Sequence, residues 1–369
     1  MTEAVQVGPA ALVGTDGPLH ASFDLALLDL DGVVYVGPNA VPGAAEALDA
    51  VRGVGLAVRF VTNNASRTAE MVADHLTRLG VPATPAEVVT SSQVAAAMLA
   101  HRFPAGSPIL IVGGAGLWQA VEAQGLVPVD SGDAGPVAVV QGFSPDLAWR
   151  NLAEASRAVR SGVFWLATNL DLTFPTPHGP APGNGSLVRA VQTAAGRGPD
   201  DVAGKPRPGA FVEAARTADA SRPLVVGDRL DTDLEGARAA QMPGLLVMTG
   251  VTDVTTLLAA APALRPSYVG RDLWALLDEQ PPAVAAPVDA DGGSDGRCAD
   301  ARVRAEMENG RVVVRVKGGQ DPLELLRAAA VASWQVLDSG RAAEVDAEVD
   351  AAAVIHAVLA AEPGATWAR

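Results

Sequence analysis

This sequence predicts an α/β fold with a doubly wound, largely parallel sheet, and three observations carry that expectation. Short apolar runs alternate with helical patterns from residue 25 to residue 248. The runs are continuous rather than alternating, as strands covered on both faces require. Three of them stop at polar or charged residues, Asp29/Asp31, Thr62/Asn63 and Gly227/Asp228. Open parallel sheets bind ligands at such carboxyl ends.

Taken in order, residues 1–22 lack periodicity and read as a flexible leader. Strands are expected at Leu25–Leu30, Leu56–Thr62, Ile109–Val112, Val137–Gln141, Val163–Ala167, Leu224–Val226 and Leu245–Met248. Helices are expected between them at Ala44–Arg52, Thr68–Leu79, Ala86–Arg102, Leu147–Val159, Leu187–Ala195, Ala210–Ala218 and Leu234–Ala240. Thr84-Pro85-Ala86-Glu87 and Thr232-Asp233-Leu234-Glu235 both match the capping-box pattern. Pro281 through Gly296 is rich in Pro, Ala, Gly and Asp and reads as a linker. Beyond it, Arg311–Val316 alternates as a strand and Leu323–Leu337 repeats as a helix, so residues 297–369 form a small α/β appendage.

The 369 residues suit two or three domains, and an apolar content of 49% supplies a core. No run approaches the roughly 18 apolar residues of a membrane span, so no membrane insertion is expected. Met1-Thr2-Glu3 lacks a basic signal-peptide start, and Cys298 is the only cysteine, which leaves cytoplasmic as the expected location. A net charge of −15 argues against nucleic acid as a partner. An anionic substrate would need local positive charge from a metal, a lysine or a helix N-terminus.

Four segments carry chemistry. In Leu27-Leu28-Asp29-Leu30-Asp31-Gly32 two carboxylates would project to one side of a strand end. Crowded there, they need a proton or a cation to share. Val61-Thr62-Asn63-Asn64 ends a strand in a hydroxyl and two amides, and Gly204-Lys205-Pro206 fixes a lysine before a helix. Val226-Gly227-Asp228-Arg229-Leu230-Asp231-Thr232-Asp233 follows a strand with acids. Singly, each suits a turn, a solvated lysine or a helix-terminal acid. In this order they suit phosphoryl transfer, which needs a nucleophile, neutral donors, a lysine and a cation.

That ordered set resembles the haloacid dehalogenase superfamily of aspartate-nucleophile phosphatases over roughly residues 23–278. The spacing is similar to that of its class IIA branch, which includes nitrophenyl-, pyridoxal- and glycerol-phosphate phosphatases. Within that branch the chain looks closest to actinobacterial glycerol 3-phosphate phosphatases. The resemblance implies a Rossmann-like core at 23–87 and 191–280, an inserted C2-type α/β cap at 88–190, a linker at 281–296 and a tail similar to a degenerate acetyltransferase. It implies Asp29 as nucleophile and Asp31 as general acid and base, with a carboxyl group poised nearer neutrality than a free aspartate. It implies Mg²⁺ held by Asp29, the Asp31 carbonyl and Asp228, with Asp233 behind them. Asp231 takes a similar supporting place or faces solvent. Gly32, Thr62, Asn63, Asn64 and Lys205 would hold the phosphoryl group.

The cap segment Asn169 through Ser186 is expected to select the substrate. Asn169 and Asp171 read either as contacts to substrate hydroxyls or as turn formers. His178 reads as a surface histidine or an approach to the site, and Trp118, Trp149 and Trp165 as core. The implied activity is hydrolysis of glycerol 3-phosphate, in the recycling of glycerophospholipid head groups. Alternatives are a broad phosphatase for sugar phosphates, nucleoside monophosphates, pyridoxal phosphate or 4-nitrophenyl phosphate, a phosphotransferase or mutase, and a protein regulated through its tail. The partner is a small phosphorylated metabolite, with self-association through cap or tail left open. The stripe Leu323/Leu326/Ala330/Trp334/Leu337 would serve such a partner or pack on its own sheet.

Overall fold

Every residue of the strands Leu25–Leu28 and Gly244–Val247 is buried, as continuous apolar runs demand of a sheet covered on both faces. The computed structural model describes residues 11–176, 179–308, 310–339, 349–352 and 354. The chain divides into two compact units. One takes in the N-terminus to Val34, Val41–Ala57 and everything from Ser221 onward; the other holds Tyr35–Ala40 and Val58–Ala220.

In the first unit, four parallel strands run in the order Tyr268–Gly270, Gly244–Val247, Pro223–Gly227, Leu25–Leu28. Val225 lies opposite Leu27, which brings the two strands that precede Asp29 and Asp228 side by side. The helix Ala44–Gly53 turns Ala47, Leu48 and Val51 inward, at the spacing of one helical face.

A second sheet of the same unit runs Ala11–Leu12, Ala283–Ala285, Gly293–Cys298, Ala301–Glu308, Arg311–Gly318, Val349–Asp350. It is antiparallel except at its last pair. Here the expected linker at 281–296 is corrected, because one of these strands lies in it and a second begins there. The reason is packing: Gly293–Cys298 buries Gly293, Ser294, Gly296 and Cys298, none of them a strong strand former. A Cβ on Gly296 would lie 2.1 Å from the Ala328 carbonyl oxygen, so the covering helix touches bare backbone. The expected leader is likewise tied down from residue 11. Val13 N–H donates to Ser267, Thr15 N–H to Gln280 and Leu19 N–H to Asp278.

The covering helix is Pro322–Asp338, started by Asp321, whose carboxylate accepts from Leu323 N and Glu324 N. Its Leu326, Ala330 and Trp334 are fully buried in one cluster with Leu246 and Val269 of the first sheet and with Leu257 and Leu258 of the helix Val254–Leu258, and Leu323 and Leu337 pack against that cluster. The apolar stripe is therefore covered by its own unit. Trp334 Nε1 donates to the Leu257 carbonyl at 2.9 Å, and Arg327, 5% exposed, donates to the Val269 carbonyl. Arg265 forms a two-pronged pair with Asp338 at 2.7 and 2.8 Å. Cys298 is buried, which pushes its thiol up to about 11. Trp334→Ala should cost about 3–5 kcal/mol of unfolding free energy in urea titrations, and a loss below about 1 kcal/mol would contradict this shared core.

In the second unit, Phe60–Thr62 of the strand Ala57–Thr62 pair in parallel with Val88–Thr90. The expected helix over 86–102 is corrected. Pro85–Glu87 is a single 3₁₀ turn, Val88–Thr90 a strand, and the helix spans Ser91–Arg102. The β-branched run Val88-Val89-Thr90 prefers strand, and Thr90 with Gln93 forms the capping box that starts the helix. Five further strands are all parallel, in the order Asp201–Val202, Phe164–Ala167, Ala138–Gln141, Pro108–Val112, Val127–Val129. The first of these lies past the expected cap boundary at 190. Trp165 is fully buried there as expected, whereas Trp149, the first residue of the helix Trp149–Arg160, is 82% exposed. The segment expected to select substrate contains a hairpin, Thr173–Thr176 with Gly179–Pro182. Phe174 meets Phe143 edge-on at 4.9 Å. His178 lies outside the described residues.

Candidate active site

The strand Leu25–Leu28 stops one residue before Asp29, whose N–H still donates to the Val226 carbonyl at 2.9 Å. The chain then turns, with Val33 N–H and Val34 N–H both donating to the Leu30 carbonyl. Gly32 takes φ +86°, a left-handed conformation that suits glycine. The two acids on either side of Leu30 differ in exposure. Asp29 is 8% exposed, while Asp31 is exposed.

Asp29 groups with Asp228 and Asp233. One carboxylate oxygen from each lies within 4.8 Å of the others, and all three residues are buried. Asp228 follows the strand Pro223–Gly227 and is fully buried; its Oδ2 accepts Val251 N–H at 2.6 Å. Asp233 is also fully buried, and its Oδ2 accepts Arg229 N–H at 3.2 Å. Residues Leu230–Leu234 wind as a π turn before the helix Glu235–Ala239, so the expected capping box at Thr232–Glu235 does not form. The Asp233 carboxylate reaches back to the Arg229 amide, and the wider turn keeps it pointing inward. Asp231 faces solvent and forms a two-pronged pair with Arg229 at 3.1 and 2.8 Å.

Glycines make the room for these carboxylates. A Cβ on Gly250 would sit 1.9 Å from Asp228 Oδ2, one on Gly32 2.4 Å from the same atom, and one on Gly227 2.2 Å from Asp233 Cβ. The loop after Gly244–Val247 was not found by sequence reasoning. Thr249 Oγ1 donates to the Gly32 carbonyl at 2.6 Å, and Val251 holds Asp228. The available signal was one more strand ending in a hydroxyl and a glycine.

Three buried carboxylates this close repel unless a cation joins them. Their hard oxygen donors suit Mg²⁺, which keeps several waters and binds few protein ligands. Among the described residues no other group of three such side chains meets the same criterion.

The second unit carries the remaining expected residues. Thr62 is 3% exposed and its hydroxyl oxygen accepts Asn64 N–H at 3.1 Å, which leaves the hydroxyl proton to be donated elsewhere. Asn64 Oδ1 accepts from Ser66 N–H and Ser66 Oγ, closing the turn after the strand. Asn63 Oδ1 accepts Lys205 N–H at 2.8 Å, and its Nδ2 donates to the Lys205 carbonyl and to Asp171 Oδ2. Lys205 is 3% exposed, and its ammonium donates to the Val61 carbonyl at 3.2 Å. Asn169, 5% exposed, donates from Nδ2 to the Asn63 carbonyl and accepts Asp171 N–H on Oδ1.

Comparison with known proteins gives a consistent account. Residues 26–127 match the family model described as haloacid dehalogenase-like hydrolase, and residues 202–276 match one described as HAD-hydrolase-like. The chain is 44% identical over 317 residues to the D-glycerol 3-phosphate phosphatase of Mycobacterium tuberculosis, covering 85% of this chain and 86% of that protein. It is 33% identical to an acid sugar phosphatase of Staphylococcus saprophyticus, over 70% of this chain and 98% of that protein. Among solved structures, the M. tuberculosis glycerol phosphate phosphatase in complex with magnesium superposes with a TM-score of 0.76 at 39% identity, covering 94% of this chain and 99% of that one. The 4-nitrophenylphosphatase of Thermotoga maritima gives a TM-score of 0.65 at 32% identity, covering 70% of this chain and 98% of that one.

Proposed function

The chain belongs to the haloacid dehalogenase-like hydrolase family, and from that premise we propose that it is a Mg²⁺-dependent phosphomonoesterase whose main substrate is glycerol 3-phosphate. The observation that carries this reading is the buried group of Asp29 and Asp228, which follow neighbouring parallel strands, with Asp233 from the π turn after the second of them. The 44% identical relative supports the choice of ester.

Asp29, Asp228 and the Asp31 carbonyl would hold Mg²⁺, with Asp233 supporting them. When bound, the ion offsets charge on the phosphoryl oxygens and on the clustered carboxylates. Asp29 attacks phosphorus, the bond from phosphorus to the glycerol oxygen breaks, and an aspartyl-phosphate forms. Asp31 gives its proton to the departing alkoxide. It then takes one from water as that water attacks the aspartyl-phosphate, which releases phosphate and restores Asp29. Thr62 donates its hydroxyl, Gly32, Asn63 and Asn64 offer backbone N–H groups, and Lys205 supplies positive charge to the transferring group. Asn169 and Asp171 are the cap residues we assign to the leaving group, with the hairpin Thr173–Pro182 beside them in sequence. Among the described residues no helix is long and apolar enough to cross a membrane. We place the enzyme in the cytoplasm, recycling glycerophospholipid head groups; self-association through the cap is a separate reading that gel filtration would decide.

The test is phosphate release by the full chain with Mg²⁺ from glycerol 3-phosphate, sugar phosphates, nucleoside monophosphates, pyridoxal phosphate and 4-nitrophenyl phosphate. Glycerol 3-phosphate should give the highest kcat/KM, and EDTA should reduce the rate to background. No release from any ester would overturn the reading. Preference for a sugar phosphate would favour the broad-specificity alternative, and phosphate transfer to an added sugar would favour a mutase.

A further inference from the structure

Asn63 stands directly after a strand-end threonine, where an amide is expected to face a phosphoryl oxygen. Its side chain is committed elsewhere. Oδ1 accepts Lys205 N–H at 2.8 Å and Nδ2 donates to the Lys205 carbonyl at 3.2 Å, so one amide pairs with both backbone groups of one residue. The other Nδ2 hydrogen goes to Asp171 Oδ2 at 3.1 Å. These partners fix the orientation of the amide, since an N–H must meet oxygen and a carboxylate must meet nitrogen. The backbone closes the circuit. Asn169 Nδ2 and Ser91 Oγ both donate to the Asn63 carbonyl, and Asp171 N–H donates to Asn169 Oδ1. Gly204 makes the approach possible, because a Cβ there would lie 2.5 Å from Asn63 Oδ1.

We propose that Asn63 is a positioning residue that couples Asp171 to Lys205. It holds the backbone of the lysine that serves the phosphoryl group and the carboxylate assigned to the leaving group in one hydrogen-bonded unit. A leaving-group hydroxyl engaged by Asp171 is thereby read at Lys205, and the enzyme favours esters of polyhydroxylated alcohols over aryl esters. The proposal deepens the phosphatase reading and rests on it.

The test exchanges the two groups. Asn63→Asp keeps an acceptor for Lys205 N–H, loses both donated hydrogens and sets a carboxylate against Asp171. Asp171→Asn supplies an amide that donates in the reverse direction. Asn63→Asp alone should lower kcat/KM for glycerol 3-phosphate about 100-fold, as a small displacement of a catalytic group does. Combining the two substitutions should recover at least about 10-fold of that loss and raise the melting temperature above that of Asn63→Asp alone. Recovery should be smaller with 4-nitrophenyl phosphate, which has no hydroxyl for Asp171 to bind.

Multiplied losses in the double variant would overturn the coupling, as would recovery of melting temperature without recovery of kcat/KM. If Asn63 instead bound the phosphoryl group directly, Asn63→Asp would weaken inhibition by inorganic phosphate as steeply as it lowers kcat/KM, and Asp171→Asn would restore neither. The melting-temperature cycle reads the clamp without turnover, so it still reports on the coupling if no ester is hydrolysed.

Discussion

Asp29→Asn should leave a folded protein that loses at least about 10⁴-fold in kcat, as removal of a covalent nucleophile does. The amide keeps the size of the carboxylate, so the Asp29 N–H to Val226 bond and the turn at Gly32 survive. A second consequence separates this variant from a misfolded one. Asp29, Asp228 and Asp233 are three buried carboxylates within 4.8 Å, and in EDTA their repulsion destabilises the native state. Removing one charge should therefore raise the melting temperature in EDTA, while the wild-type chain should gain more from added Mg²⁺. Turnover within tenfold of wild type would refute the nucleophile, and a lower melting temperature in EDTA would refute the repulsion.

Gly250→Ala should act on the metal rather than on the nucleophile. The new methyl group would lie 1.9 Å from Asp228 Oδ2, so the loop must move and the Val251 N–H that holds that oxygen at 2.6 Å must leave with it. Groups that orient a metal ligand are commonly worth about 10–100-fold in metal affinity. We expect a loss of that size in the Mg²⁺ concentration dependence of both turnover and melting temperature. Turnover at saturating Mg²⁺ should fall much less. Unchanged Mg²⁺ dependence would show that this loop does not set the position of Asp228. Thr249→Val, which removes the donor to the Gly32 carbonyl, should shift the same titration in the same direction and by less.

What the sequence revealed of this site, and what it concealed, divides along a physical line. Asp29, Thr62, Lys205 and Asp228 were legible because each follows an apolar strand or a glycine, and polar groups at such places need a reason. The Thr249–Val251 loop was concealed because most of its work is done by backbone and by an absent side chain. The clamp at Asn63 was concealed because the same amide suits a ligand or a neighbour equally well. In the fold, the long parallel strands were legible from continuous apolar runs. Gly293–Cys298 was not, because a strand pressed against a helix needs small residues and so lacks the usual strand composition. Trp149 misled in the other direction, since helical spacing alone does not reveal that the first residue of a helix projects past the core.

The pairing of Ala11–Leu12 with Ala283–Ala285 has a consequence for biosynthesis. The partner of residue 11 emerges about 270 residues later, tens of seconds at ordinary translation speeds. Throughout that interval Leu12 lacks its full buried cluster, whose other members all lie at residue 230 or beyond. Helix Pro322–Asp338, which packs in the same cluster as Leu12, comes later still. The nascent catalytic core must therefore persist with an open sheet edge and an uncovered face until the last quarter of the chain leaves the ribosome. Overproduction should strain this protein at that stage, making soluble yield depend on chaperone supply before it depends on the stability of the finished fold.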